Sequence, residues 1–145
     1  MDAPDKVKAS LQTVIDVFCE RHPRGFRALA EITRPDFWFK DPFVEIRGFD
    51  AYKAFLRESA AHRTRTVWNV LGYSAAGQSG YVRWIYEADY TDGTALKCDG
   101  MTEFGFDEEG RLAFHVDYWD SADAIDVKNP TLGRTLRNAK DGMHV

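Results

Sequence analysis

Cysteine is scarce: the 145 residues hold only Cys19 and Cys98, with no CxxC spacing and no histidine at ligand distance. That excludes a disulfide framework, argues against a structural zinc site and leaves two small side chains for the interior. Basic charge is also short, with 19 Lys and Arg against 23 Asp and Glu and a net charge of -4. The one basic cluster near the end, "RNAK", is too short to track a phosphate backbone, so no nucleic acid is expected as a partner. No apolar run approaches the roughly 20 residues of a spanning helix, and "MDAPDKVKAS" lacks the apolar core of a signal peptide. A cytoplasmic protein without a membrane segment is expected. There is no internal repeat and no linker, so residues 1–145 should form a single domain.

What is abundant is apolar surface: 44% of residues are hydrophobic and 14% aromatic, enough for one core at this length. Val7, Leu11, Val14, Ile15, Val17 and Phe18 recur at helical spacing between Pro4 and about Arg21. "HPRG" breaks that helix. Gly25 to Ile32 reads as a short second helix, stopped by "TRP", where Pro35 lacks a donor. "FWFKDPF" is a strand with Phe37, Phe39 and Asp41 on one face, and "VEIRG" a short strand and turn beyond Pro42. "GFDAYKAFLRES" predicts a third helix, with Asp50 as N-cap and Tyr52, Phe55 and Leu56 along one side.

From Thr66 the pattern is strand after strand: "TVWNVLGYSA", "GYVRWIYEADYT", "ALKCDGMTEFGF" and "RLAFHVDYWD". "AAGQSG", "TDGT" and "DEEG" connect them with turn chemistry. The tail begins helically, breaks at "NP" and regains a weak turn around Leu132 to Leu136. Helices followed by one long meander predict an α+β fold, a cone in which N-terminal helices pack on a curved antiparallel sheet. In the third long strand Leu96, Cys98, Gly100, Thr102, Phe104 and Phe106 share a face. In the fourth, Arg111, Ala113, His115, Asp117 and Trp119 share one face and Leu112, Phe114, Val116 and Tyr118 the other. A strand apolar on both sides needs cover on both sides. The helices supply one cover, and a second subunit is expected over Phe114, Val116, Tyr118 and Met101.

"FKDPFVEIRGFDAYKAFL" and "MTEFGFDEEGRLAFHVDYWD" resemble the "DP…G…I/L" and "F-x-F-D-x-x-G-R/K-I/L…W" segments of the nuclear transport factor 2-like superfamily. That superfamily includes ketosteroid isomerase and the SnoaL-like polyketide cyclases, and the likeness is greatest to bacterial members of unassigned function. It implies a cone-shaped α+β barrel with a pocket, in a fold that serves isomerisation, cyclisation, epoxide opening and plain binding alike. By this resemblance Asp41 matches the proton-shuttling base of ketosteroid isomerase. The two oxyanion donors of that enzyme fall on Val17 or Phe18 and on Thr102, which cannot replace a Tyr and a protonated Asp. The acid-base Asp of the cyclases falls on Asp120, where an N-cap is the favoured role.

Three residues are therefore candidate catalytic groups. Asp41 or His115 would be the base, and Asp117, on the same strand face, would orient the imidazole unless Arg83 simply pairs with it. Phe18, Phe39, Trp84, Tyr86, Thr102, Phe104 and Trp119 are expected to line the pocket. The expected partner is a hydrophobic, oxygen-bearing small molecule, handled without metal or cofactor. A ligand-binding or dimerisation module without catalysis is the first alternative. A limonene-type epoxide hydrolase, using Arg83 with Asp41 or Asp117, is the second.

Overall fold

A computed structural model describes residues 2–124 and 130–143. Helix α1 (Ala3–Phe18) opens on Asp2, whose side chain caps the Asp5 amide, and buries Val7, Leu11, Val14 and Ile15. Helix α2 (Phe26–Ile32) follows, then strands β1 (Thr33–Lys40) and β2 (Glu45–Arg47) and helix α3 (Phe49–Ala61). Four long strands come next, β3 (Arg63–Ala76), β4 (Ser79–Tyr90), β5 (Ala95–Phe106) and β6 (Leu112–Trp119), and then helices α4 (Ser121–Ala124) and α5 (Pro130–Met143). The α+β class stands.

All six strands form one curved, unclosed sheet in the order β2-β1-β6-β5-β4-β3. The long strands are antiparallel, as expected, but β1 runs parallel to β6, so the sheet is mixed. β1 also begins earlier than the aromatic run suggests. Pro35 is accommodated where the β1–β6 register shifts between Thr33 and Trp38, a place where a missing donor does no harm. Helix α3 starts on Gly48 rather than Asp50, because Gly48 sits at φ 91°, a left-handed conformation that glycine adopts freely. Asp50 lies in the first turn and pairs with Lys53.

The helices cover the inner face, where Phe37, Phe39, Tyr52, Val82, Trp84 and Phe104 are buried with the stripe of α1. Alternation in β5 holds throughout. In β6 it fails once: Phe106 pairs with Leu112 and Gly105 with Phe114, so Ala113 is an extra residue and the strand bulges there. The bulge turns Leu112 into the core, on the side of His115, instead of outward with Phe114. On the outer face Met101 and Tyr118 are 44% and 58% exposed, whereas Val116 is buried within the chain itself. Phe114 lies flat over Gly105, which has no side chain to displace it.

Candidate functional site

Strand β6 carries His115 and Asp117 on the inner face, and register sets Thr102 of β5 beside Asp117. Strand β4 supplies the next member. The indole Nε1–H of Trp84 donates to Thr102 Oγ1 at 2.8 Å, and that hydroxyl donates to Asp117 Oδ1 at 2.6 Å. His115 Nε2 stands 2.7 Å from the same oxygen. The polarity of this chain follows from its first link, since an indole can only donate and a hydroxyl that accepts it is free to donate onward. With Asp117 as the acceptor, the proton between the two side chains sits on His115 Nε2. Nδ1 is buried and has no partner among the described residues.

Four aromatic rings enclose the imidazole. Phe104, Phe39, Phe18 and Tyr52 have centroids 4.7, 5.0, 5.7 and 6.3 Å from it. Only 9% of the His115 side chain is exposed, against 21% for Asp117. The carboxylate is thus more exposed to solvent than the ring. Among the described residues no hydrogen bond reaches Asp117 Oδ2, so one oxygen is anchored and the other is free.

Of the expected lining, Phe39, Trp84, Thr102 and Phe104 are buried in the core and support the site from below. Phe18, Tyr86 and Trp119 are half-buried and pack against that core, with Trp119 edge-on to Phe43 at 5.4 Å. Asp41 is occupied otherwise. Its Oδ1 accepts the backbone amides of Phe43 and Val44, both at 2.8 Å, and so closes the turn after β1. It follows directly on the Lys40–Val116 pairing, on the strand adjacent to His115 rather than across the cone from it.

Arg83 belongs to the outer face. It donates to Asp99 at 2.8 Å and to the carbonyls of Trp84 and Gly100, so it neither neutralises Asp117 nor completes an Asp-Arg-Asp set. Asp120 accepts the Ala124 amide through its carbonyl, as the residue that starts α4.

Tyr52 is the participant that the sequence did not single out. In α3 it shares a stripe with Phe55 and Leu56 and reads as core, yet it points its ring at His115. Burial, and then Asp117, hold its phenol pKa well above the ordinary value, so it remains an O–H donor. Its Oη has no hydrogen bond among the described residues. A buried tyrosine normally partners its hydroxyl, and that rule was the one available hint.

The Cys98 thiol is likewise pushed up, to about 11, first by burial and then by Asp117 and Asp99. A group with a raised folded-state pKa stabilises the fold fully below its unfolded value and loses that contribution as pH climbs through the folded value. Stability is therefore expected to fall from pH 9 toward pH 11, and Cys98→Ala should flatten that limb. Urea unfolding at stepped pH is the check. An unchanged limb in the variant would assign the loss to other groups.

The sequence profile of the SnoaL-like domain matches residues 12–115. No curated protein matches the sequence. Among solved structures, an NTF2-like protein of unknown function from Burkholderia pseudomallei is 19% identical with a TM-score of 0.67, covering 79% of this chain and 92% of its own. A protein from Xanthomonas campestris, provisionally named a polyketide cyclase, is 14% identical with a TM-score of 0.70 and coverages of 83% and 95%. TerC, co-crystallized with polyporic acid, is 14% identical with a TM-score of 0.65 and coverages of 79% and 93%. At these identities the structures speak for the fold.

Proposed function

The chain belongs to the SnoaL-like domain family, and from that premise we propose that it binds a hydrophobic, oxygen-bearing small molecule over the inner sheet face and moves a proton on it without a cofactor. The observation that carries this reading is the hydrogen-bonded set Trp84, Thr102, Asp117 and His115, which converges on a carboxylate that is 21% exposed among aromatic rings. A set of this kind fixes a carboxylate for one task; a carboxylate needed only for packing would be replaced by an apolar side chain at less cost.

The roles within the pair are the reverse of the first expectation. The Asp117 side chain is the more exposed of the two and its Oδ2 takes no hydrogen bond among the described residues, so in this scheme Asp117 takes and returns the proton. His115, whose free nitrogen is buried, is a positioning residue that aims Oδ1 together with Thr102. Asp41, already spent on its turn, is a structural residue in this scheme. A ligand that carries a ketone or an enolisable ring would present the hydrogen beside its carbonyl to Oδ2. The TerC ligand is polyporic acid, a compound in keeping with that class. The same reading includes a homodimer through the outer face, supported by the exposed Met101 and Tyr118.

The test is a thermal-shift screen of polycyclic ketones and quinones, followed by NMR of deuterium uptake beside the carbonyl of each binder. Wild-type protein should accelerate uptake, and Asp117→Asn should slow it by about 10²–10⁴-fold while still binding. Binding without accelerated uptake would leave a non-catalytic binding module, the reading favoured by the absent oxyanion donors. Absence of any binder would remove the small-molecule reading altogether.

A further inference from the structure

We propose that Arg63 is an anion anchor at the rim of the inner face, so that the ligand of this chain is an amphipathic acid: an apolar body with one anionic head group. The inference rests on the small-molecule reading above and names the ligand class. Arg63 begins β3, opposite Tyr90. Its Nε donates to the Ser59 carbonyl at the end of α3 at 3.1 Å, and its Nη1 donates to Tyr86 Oη at 2.6 Å. A guanidinium carries five N–H groups, so these bonds leave most of its donors unspent.

Arg63 differs from the other arginines of the described residues. Arg21, Arg24, Arg34, Arg47, Arg65, Arg83 and Arg111 each have a carboxylate within ion-pair distance, and Arg27, Arg57, Arg134 and Arg137 are exposed to water. Arg63 is half-buried and has no carboxylate partner among the described residues. The carbonyl end of α3 offsets part of its charge. A partly desolvated cation held by neutral acceptors still gains most from an anion that completes its fork.

Its placement fits one molecule that reaches both charges. Tyr86 shares the inner face with Trp84 and pairs with Cys98, whose thiol in turn feels Asp117. Burial raises the Tyr90 phenol, Tyr86 adds to the rise and Arg63 opposes it, so these groups lie within electrostatic reach of one another. Between them Trp68 packs edge-on to Phe18 at 5.6 Å and offers an apolar bed. A ligand with its acid at Arg63 would lay its rings on that bed and bring its far end to Asp117.

The experiment compares two fluorescent probes of similar apolar body, the anionic 1-anilinonaphthalene-8-sulfonate and the neutral N-phenyl-1-naphthylamine. In Arg63→Gln the anion should bind about tenfold more weakly and the neutral probe within about twofold of wild type, the loss expected of one charge-assisted contact. Arg63→Lys, which keeps the charge, should retain the preference for the anion and serves if the glutamine variant does not fold. Equal weakening of both probes would make Arg63 structural and overturn the proposal. So would an unchanged anion affinity, or a loss of anion binding in Arg83→Gln, which would place the probe on the outer face. If the neutral probe binds and the anion does not, the anchor fails while the pocket stands; if neither binds, both fail.

Discussion

Asp117→Ala is expected to destabilise the fold by about 3 kcal/mol, whereas His115→Phe should stay within about 1 kcal/mol of wild type. The asymmetry follows from where the bonds converge. Asp117 Oδ1 receives both Thr102 and His115, so its removal strands two donors at once, one on a fully buried hydroxyl. The imidazole makes one bond and carries one buried nitrogen with no partner among the described residues. A phenyl ring there would lose the bond, relieve the orphan nitrogen and join Phe18, Phe39, Tyr52 and Phe104. Denaturant unfolding with an unchanged slope measures both values. A His115→Phe loss as large as that of Asp117→Ala would show the histidine to be a structural necessity and would remove the case that it is kept for positioning.

Gly100→Ala is expected to cost about 3 kcal/mol or more, at the upper end of what overpacking does. A Cβ built there would stand 2.5 Å from the carbonyl oxygen of Tyr118 and 2.8 Å from the indole of Trp84. The first contact is backbone of β6, which cannot swing aside without opening the β5–β6 pairing that holds Asp117 next to Thr102. The second is the ring that starts the hydrogen-bond line. Gly105 makes a useful contrast: the nearest atoms to its added Cβ all belong to the Phe114 ring, a half-buried side chain of the outer face, and none to backbone. Thermal unfolding followed by tryptophan fluorescence would compare the two. If Gly100→Ala proved as mild as a surface change, the close approach of β5, β6 and Trp84 would be looser than described.

Helix α2 and strand β5 were legible almost to the residue, because each carries a clean period and a clear stop, whereas α1 ends at Phe18, three residues short of the Arg21 end expected from the break at "HPRG". What resisted reading was whatever depends on another strand. The parallel partnership of β1 with β6 joins segments from opposite ends of the chain, and no local pattern encodes it. The bulge at Ala113 is a backbone event on an ordinary alanine, so strict alternation put Leu112 on the wrong side. The site shows the same division. His115, Asp117, Thr102 and Trp84 each stood out as residue types at inward positions, yet their union in one line depends on the mutual register of β4, β5 and β6. Asp41 and Arg83 looked equally chemical, and only their bonds to turn amides and to Asp99 assign them elsewhere. Tyr52 was hidden for the opposite reason, because a tyrosine on an apolar helix stripe looks like packing.

The sheet order has a consequence for the moment of folding. A chain emerging from the ribosome finishes β1 and β2 early, but among the described residues the pair's only further neighbour in the sheet is β6, the last of the six strands to be made. Until it arrives, the aromatic face of β1 has an unpaired edge and waits, a slow and association-prone interval for so long-range a contact. The strand that ends this wait is the one that carries His115 and Asp117. Closure of the early half of the molecule and assembly of its chemistry are therefore a single event, and any interruption of synthesis before Trp119 forfeits both.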